Sequence, residues 1–166
     1  MHTAIIVCGS PGAGKSTYAA RLAAARHATL LDIDTVTERL VRLALAQSGH
    51  NPDDRDSGYF KQTFREPVYE TLFAIARENL PCQDVIIVGP FTRELRERDW
   101  PSRLRGTLGS PVEVHYVRCD PETRRSRLEQ RGNPRDRAKL ADWNDHARYY
   151  GDESPPVFGH VLVQGD

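Results

Sequence analysis

This chain of 166 residues contains few lysines and few cysteines, and it carries no net charge. Its 23 basic residues balance 23 acidic ones, so the formal net charge is zero. A neutral chain argues against strong non-specific binding to nucleic acid, although it leaves room for a local basic groove. Only three basic residues are lysines, Lys15, Lys61 and Lys139. Arginine suits bidentate phosphate contacts, but we attribute most of its excess to codon usage in a GC-rich genome.

The sequence also lacks a disulfide framework and a long apolar run. Cys8, Cys82 and Cys119 are odd in number, far apart and in no spacing typical of a metal site. Cys8 and Cys119 end apolar strand patterns, which predicts that both are buried. No signal-peptide pattern precedes the first strand, and no apolar run reaches the ~18 residues of a membrane span. We therefore expect a protein of the reducing cytoplasm.

A glycine-rich segment near the start of the chain carries the strongest signal. The segment matches G-x-x-x-x-G-K-[ST], the phosphate-binding P-loop, in Gly9, Ser10, Pro11, Gly12, Ala13, Gly14, Lys15, Ser16 and Thr17. An apolar strand pattern precedes it and a helical pattern follows it, as the motif requires. Lys15 is predicted to reach the β- and γ-phosphates of a nucleoside triphosphate, Ser16 to bind Mg²⁺ and Thr17 to contact a phosphate oxygen.

Strand and helix patterns alternate along the rest of the chain. Strands are predicted at residues 3–8, 28–33, 84–89, 112–118 and 160–164, and helices at 15–26, 34–47, 66–79, 93–105, 120–131 and 136–149. The alternation predicts one α/β domain over residues 1–166, a three-layer, doubly wound parallel sheet of five strands. Ligands of such sheets gather at the carboxyl ends of the strands. That edge brings together the P-loop and residues 32–34, 89–93 and 118–120.

Two acidic residues, Asp32 and Asp34, leave the second strand pattern. Side chains two apart on an extended segment point the same way, so both carboxylates are predicted to face the triphosphate. One would accept a proton from a substrate hydroxyl and the other would support Mg²⁺. Alternatively, Asp34 only caps the next helix. The third strand ends Val88–Pro90 without the acid that nucleotide hydrolases carry there, so the metal would rely on Ser16, phosphates, water and Asp32.

A row of arginines lies late in the chain. Arg124, Arg127 and Arg131 recur at the spacing of one helix face, and Gly132, Asn133 and Pro134 then break the helix. The pattern favours a helical lid, at about residues 127–140, that delivers arginines to the transferring phosphate; the alternative is a solvated face paired with Glu122 and Glu129. Residues 48–66 are predicted to form either a segment that covers the substrate or a surface loop that only connects two helices. Arg93 would contact substrate, or lie on a helix surface.

The P-loop, the Asp-x-Asp segment and the late Arg-x-x-x-Arg-Gly together resemble the P-loop kinase group, an AAA-type ATP-binding domain. Within it, the chain is most similar to chloramphenicol phosphotransferase-like and polynucleotide-kinase-like enzymes, which share the form Gly-x-Pro-Gly-x-Gly-Lys-Ser-Thr at residues 9–17. Residues 117–120 resemble the end of the fourth strand of the phosphotransferases. The resemblance implies that Asp34 is the general base, that Arg127 and Arg131 are paired lid arginines, and that ATP and Mg²⁺ are used.

The leading hypothesis is an ATP- and Mg²⁺-dependent kinase acting on a hydroxyl of a small molecule such as an antibiotic, nucleoside or metabolite. The second is a polynucleotide 5′-hydroxyl kinase with nucleic acid as acceptor. A different class, a nucleotide switch, an ATPase or a non-catalytic nucleotide-binding module, has less support, because the sequence carries neither a guanine-recognition motif nor an acid after the third strand. Neither the acceptor nor the oligomeric state is written in the sequence.

Overall fold

A five-stranded parallel sheet forms the centre of the computed structural model, which describes residues 1–145 and 154–165. The strands are β1 (Ala4–Cys8), β2 (Thr29–Asp32), β3 (Val85–Val88), β4 (Val112–Arg118) and β5 (Val161–Gln164). Their order in space is β2-β3-β1-β4-β5, and every neighbouring pair is parallel. The predicted five-stranded doubly wound sheet is therefore confirmed.

Helices cover both faces of this sheet. They include α1 (Lys15–Arg26), α2 (Ile33–Gln47), α3 (Gly58–Thr63), α4 (Arg65–Asn79), α5 (Trp100–Leu108), α6 (Pro121–Arg131) and α7 (Arg137–Ala141). Short 3-10 turns span Glu94–Arg96 and Pro134–Asp136. Buried side chains of α4 and α5 pack on one face of the sheet, and those of α1 pack on the other.

Strand β1 shows why the sheet is central. All five of its residues are fully buried. Ile6 and Cys8 join the core beneath α4 and α5, whereas Ile5 and Val7 join the core beneath α1. Because both faces are covered, the strand is apolar throughout instead of alternating with polar residues. This burial fixes the end of β1, from which the P-loop departs.

Three helix predictions need correction. The predicted helix 93–105 is a 3-10 turn followed by α5, because Pro101 has no N–H to donate and fits only the first turn of a helix. The predicted helix 136–149 is interrupted: α7 ends before a non-helical Asp142, residues 143–145 are helical again, and residues 146–149 lie outside the described ones. Helix α3 was not predicted; Ser57 begins it by accepting a hydrogen bond from the Phe60 N–H at 3.1 Å.

The remaining expectations concern cysteines and membrane spans. Cys8 and Cys119 are buried as predicted, Cys82 is exposed, and none of these three cysteines forms a disulfide bond. Over residues 1–145 and 154–165, no helix combines the length and the apolar character that crossing a membrane demands.

Removing a large side chain from the core should unfold the protein more easily than removing one from the surface. Leu72 of α4 is fully buried, so Leu72→Ala should lower the free energy of unfolding by about 2–5 kcal/mol. Leu40 of α2 is 72% exposed, and Leu40→Ala should change it by no more than about 0.5 kcal/mol. Urea denaturation measures both, and equal losses would contradict this placement of the core.

Candidate active site

The P-loop packs directly against the backbone of two other elements. Gly9 has a φ of +139°, and a Cβ there would lie 2.3 Å from the Val117 carbonyl oxygen at the end of β4. Gly12 has a φ of +80°, and its Cβ would lie 2.8 Å from the Arg124 carbonyl oxygen of α6. Only glycine tolerates both the positive φ and the close approach. The loop is thus fixed against β4 and α6.

Helix α1 begins at the end of this loop, and its N-terminus fits an anion. Gly14 is the N-cap and no side chain caps the helix, so its first N–H groups and the positive end of its dipole remain for a phosphate. The Lys15 ammonium folds back and donates to the Ser10 carbonyl at 2.9 Å. Burial lowers the pKa of Lys15 to about 8, against the opposing charge of Asp34.

Asp32 connects the P-loop to the start of α2. Its Oδ2 accepts a hydrogen bond from the Ser16 hydroxyl at 2.6 Å, and its Oδ1 accepts one from the Asp34 N–H at 2.9 Å. Asp32 is extended and is the N-cap, so the alternative in which Asp34 caps this helix is wrong. The prediction that Asp32 and Asp34 lie on one extended segment is wrong as well, because α2 begins at Ile33 and Asp34 lies in its first turn.

Asp34 faces the lid segment instead of standing free. Its Oδ1 accepts a hydrogen bond from the Arg135 Nη1 at 2.8 Å, and its Oδ2 accepts a short one from the Arg135 Nη2. Burial by itself raises the pKa of Asp34, but the hydrogen bonds and charge of Arg135 outweigh it, with help from Lys15 and Arg131. The pKa of Asp34 is therefore below its usual value.

The predicted row of arginines divides into different environments. Arg127 Nη1 donates to the Gly12 carbonyl of the P-loop at 3.2 Å. Arg131 donates through Nε and Nη2 to Asp136, at 3.0 and 2.6 Å. Arg124 is fully buried, with its guanidinium 5.6 Å from the Trp143 ring centroid. The structure thus brings Arg127 and Arg131 to the P-loop side, while Arg124 packs inside the fold.

A cleft of about 390 Å³ joins these groups. The lid segment and the segment predicted to cover the substrate both contribute to its wall. Its lining includes Gly12, Gly14, Lys15, Ser16, Thr17, Ile33, Asp34, Arg55, Asp56, Phe60, Lys61, Arg65, Val68, Tyr69, Pro90, Thr92, Arg127, Arg131, Arg135, Asp136 and Lys139. A volume of this size is typical of sites for small molecules.

Arg93, predicted to contact substrate, is not among the residues that line this cleft. Its side chain is 74% exposed and lies 3.9 Å from Glu94 and 3.6 Å from Glu97. The sequence reasoning missed Arg55, Arg65, Arg135 and Lys139, which do line it. Their positions in the sequence could have indicated them, because Arg55 and Arg65 lie in the segment 48–66 and Arg135 and Lys139 lie in the lid segment.

Ser16 and Asp32 are the residues best suited to support a divalent cation. Within the part of the chain that the structure describes, no group of three or more His, Cys, Asp or Glu side chains is arranged to hold a metal ion. A hydroxyl and a carboxylate are hard oxygen ligands, and Mg²⁺ is usually held by one or two such groups together with phosphates and water. The pair therefore fits Mg²⁺ as a partner of a bound nucleotide.

Residues 5–152 match the AAA domain family. The chain belongs to this family. Three solved structures share its fold over 99% of the chain, with identities too low to show more than the fold. They are a proposed kinase from Chloroflexus aurantiacus (17% identity, 88% of that chain, TM-score 0.67), a sugar kinase from Janibacter sp. HTCC2649 (16%, 86%, 0.62) and a gluconokinase from Sinorhizobium meliloti 1021 (14%, 82%, 0.56). No protein of curated function matches the sequence significantly.

The lowered pKa of Lys15 predicts a dependence of stability on pH. Between about 8 and 10.5, the unfolded chain holds a proton on this lysine that the folded chain has lost. Stability therefore rises with pH through this window. In Lys15→Met that rise should be missing, so the free energy of unfolding of wild type minus variant should increase from pH 8 to pH 10.

Urea denaturation of the unliganded proteins at each pH measures this difference. Leu72→Ala is the control, because it changes no titrating group and its difference from wild type should stay constant over the same range. A wild-type-minus-Lys15→Met difference that is equally constant would contradict the burial of the Lys15 ammonium.

Proposed function

We propose that this protein is an ATP- and Mg²⁺-dependent kinase that transfers the γ-phosphate to a hydroxyl of a small molecule. The observation that carries the proposal is one cleft lined by the P-loop lysine, by the Asp34 carboxylate and by Arg127 and Arg131. These are the groups that phosphoryl transfer to an alcohol requires: a phosphate cradle, a proton acceptor and cations for the transferring group.

The P-loop side of the cleft is the donor site in this proposal. Lys15, the loop N–H groups and the uncapped start of α1 bind the phosphates of ATP. Ser16 and Asp32, already hydrogen-bonded to each other, support Mg²⁺. When bound, Mg²⁺ neutralises phosphate charge and orients the β- and γ-phosphates. Arg127, which contacts the Gly12 carbonyl, is next to the loop and suited to the γ-phosphate.

Asp34 is the proton acceptor. The acceptor oxygen attacks the γ-phosphorus and forms the new P–O bond, its proton passes to the Asp34 carboxylate, and the bond to the β–γ bridging oxygen breaks to release ADP. Arg127 and Arg131 offset the negative charge of the phosphoryl group during transfer. Residues 48–66 and 127–140 cover the acceptor and exclude water, which would otherwise take the phosphate.

A small-molecule acceptor is favoured over the 5′ end of a nucleic acid. The cleft has the volume of a small-ligand site, the net charge is zero, and two proteins of the same fold are described as a sugar kinase and a gluconokinase. Transfer of labelled phosphate to a 5′-hydroxyl oligonucleotide separates the two. Three cysteines that form no disulfide bond fit a reducing compartment, and we place the reaction in the cytoplasm.

The role of Asp34 is tested by Asp34→Asn, which keeps the shape of the side chain and removes its basicity. ATP affinity should be nearly unchanged, whereas the turnover number should fall about 10²–10⁴-fold, the usual contribution of a general base. Calorimetry with a non-hydrolysable ATP analogue and an ADP-release assay over a panel of hydroxyl compounds measure the two. The control is Asp99→Asn, an exposed residue paired with Arg103; near-normal turnover in Asp34→Asn would remove Asp34 as the base.

Two arginines of α6 provide a matched test of the lid. Arg127→Gln should lower the turnover number by about 10³-fold, by analogy with arginines that stabilise phosphoryl transfer in related enzymes. Arg125→Gln is the control, because Arg125 points away to Glu129, at 3.0 Å, on the exposed side of the same helix. If both variants lose activity equally, the effect belongs to helix stability and the proposed role of Arg127 fails.

A further inference from the structure

Three basic side chains on the acceptor side of the cleft are nearly buried. Arg55, Arg135 and Lys139, here called the basic cluster, have side chains 13%, 13% and 10% exposed and line the same cleft as Asp34. They lie on separate parts of the chain: Arg55 precedes α3, Arg135 lies in the 3-10 turn of the lid and Lys139 belongs to α7. Their convergence depends on the tertiary fold.

Acids contact every member of this cluster, with Asp34 pairing with Arg135, but two of these acids are each shared between two cations. One oxygen of Glu38 lies 3.0 Å from Arg55 Nη2 and 3.2 Å from Arg135 Nη1, so two guanidinium groups share it. The Arg55 Nη2 is buried and makes no hydrogen bond with the described residues, despite that ionic contact. Lys139 lies 3.7 Å from Asp56 and 3.8 Å from Asp136. Asp136 is already bound by Arg131 at 2.6 Å.

The rest of the site holds Arg55 in place for a ligand. Its Nη1 donates to the carbonyl oxygens of Pro52 and Asp54, at 3.0 and 2.5 Å. Its guanidinium carbon lies 5.3 Å from the centroid of the Phe60 ring, a cation–π distance. A buried guanidinium nitrogen without a hydrogen-bond partner is costly, and a preorganised guanidinium suits a carboxylate or a phosphate.

Resting on the proposed kinase function, we infer that the acceptor is itself an anion: a hydroxyl compound carrying a carboxylate or a phosphate, which Arg55, Arg135 and Lys139 bind. The anion would supply the hydrogen-bond partner that Arg55 Nη2 lacks among the described residues. The hydroxyl would then lie towards Asp34, because Arg135 contacts Asp34 and also belongs to the cluster.

Arg135 also connects acceptor binding to the proton acceptor. In the present structure it occupies both oxygens of Asp34. An anion that recruits Arg135 would release at least one of these oxygens to the acceptor hydroxyl. Without the anion, Asp34 remains engaged, and a water molecule in place of the acceptor meets a weaker base. The same group would thus give recognition of the acceptor and restraint of ATP hydrolysis.

Binding to the acceptor side is tested directly by calorimetry on the full chain saturated with Mg²⁺ and a non-hydrolysable ATP analogue, which occupies the P-loop. The probes are inorganic phosphate, D-gluconate and its neutral counterpart D-gluconamide. At least one anion should bind saturably at one site, at least ~10-fold more tightly than D-gluconamide, since a hydrogen-bonded charge pair is worth at least one decade in affinity. The tighter anion identifies the group as phosphate or carboxylate.

Two variants report whether this binding uses the basic cluster. Arg55→Gln and Lys139→Gln should each weaken the bound anion by at least ~10-fold, and Arg103→Gln, an exposed arginine paired with Glu97 and Asp99, should not. Circular dichroism confirms folding of each variant, and Lys139→Gln decides the matter if Arg55→Gln does not fold. The inference is overturned if no anion binds, if D-gluconamide binds equally well, or if the cluster variants behave like Arg103→Gln.

Turnover separates this inference from the kinase function itself. Saturable anion binding with no ATP consumption on any hydroxyl compound would contradict the kinase function and leave the anion site standing. Efficient phosphorylation of a neutral hydroxyl compound, unaffected by Arg55→Gln, would confirm a kinase and overturn the anionic acceptor.

Discussion

The close approach of the P-loop backbone to β4 and α6 is the constraint on which the site depends. Gly9 and Gly12 leave no room for a side chain against the carbonyl oxygens of Val117 and Arg124. Because α6 is pressed onto the loop in this way, its arginines have a fixed distance to any phosphate held there, and Arg127 already contacts the Gly12 carbonyl. A larger residue at Gly12 would push α6 away from the phosphate cradle, and one at Gly9 would push the loop away from β4; both would also strain the loop.

A buried ion pair stabilises the lid segment. Asp136 is 1% exposed and is bound by Arg131, so removal of Arg131 would leave this buried carboxylate with the more distant Lys139, 3.8 Å away, and destabilise the fold. Arg131 therefore has a structural role alongside its proposed catalytic one, and its substitution would not isolate chemistry from folding. Arg127 has no acidic partner among the contacts found in the described residues. Its substitution therefore leaves no carboxylate unpaired, and it tests catalysis more directly than a substitution of Arg131.

Periodicity and motif spacing were sufficient for the sheet, the P-loop and α6, because these follow local rules: apolar strands, glycines at fixed offsets, and Asp120 with Pro121 at a helix start. The acceptor side could not be obtained in this way. Arg55, Arg135 and Lys139 have no shared spacing, and only the fold brings them together. The pairing of Asp34 with Arg135 could not be predicted either, because the two residues are 101 positions apart in the sequence. The sequence also did not reveal that α2 begins at Ile33, one residue before the predicted start, so that Asp32 is its N-cap.

The end of β3 carries no acidic residue that could support a metal ion, and packing explains why. Phe91, three residues past the strand, is fully buried, with its ring centroid 4.8 Å from that of Tyr69 and 5.2 Å from that of Trp100. The chain there serves packing, and a carboxylate would have to be buried among aromatic rings. Asp32 ends the adjacent strand in register with Val88 and already holds the Ser16 hydroxyl. The carboxylate nearest the proposed metal ligand thus comes from β2, one strand away, where capping α2 also fixes its orientation.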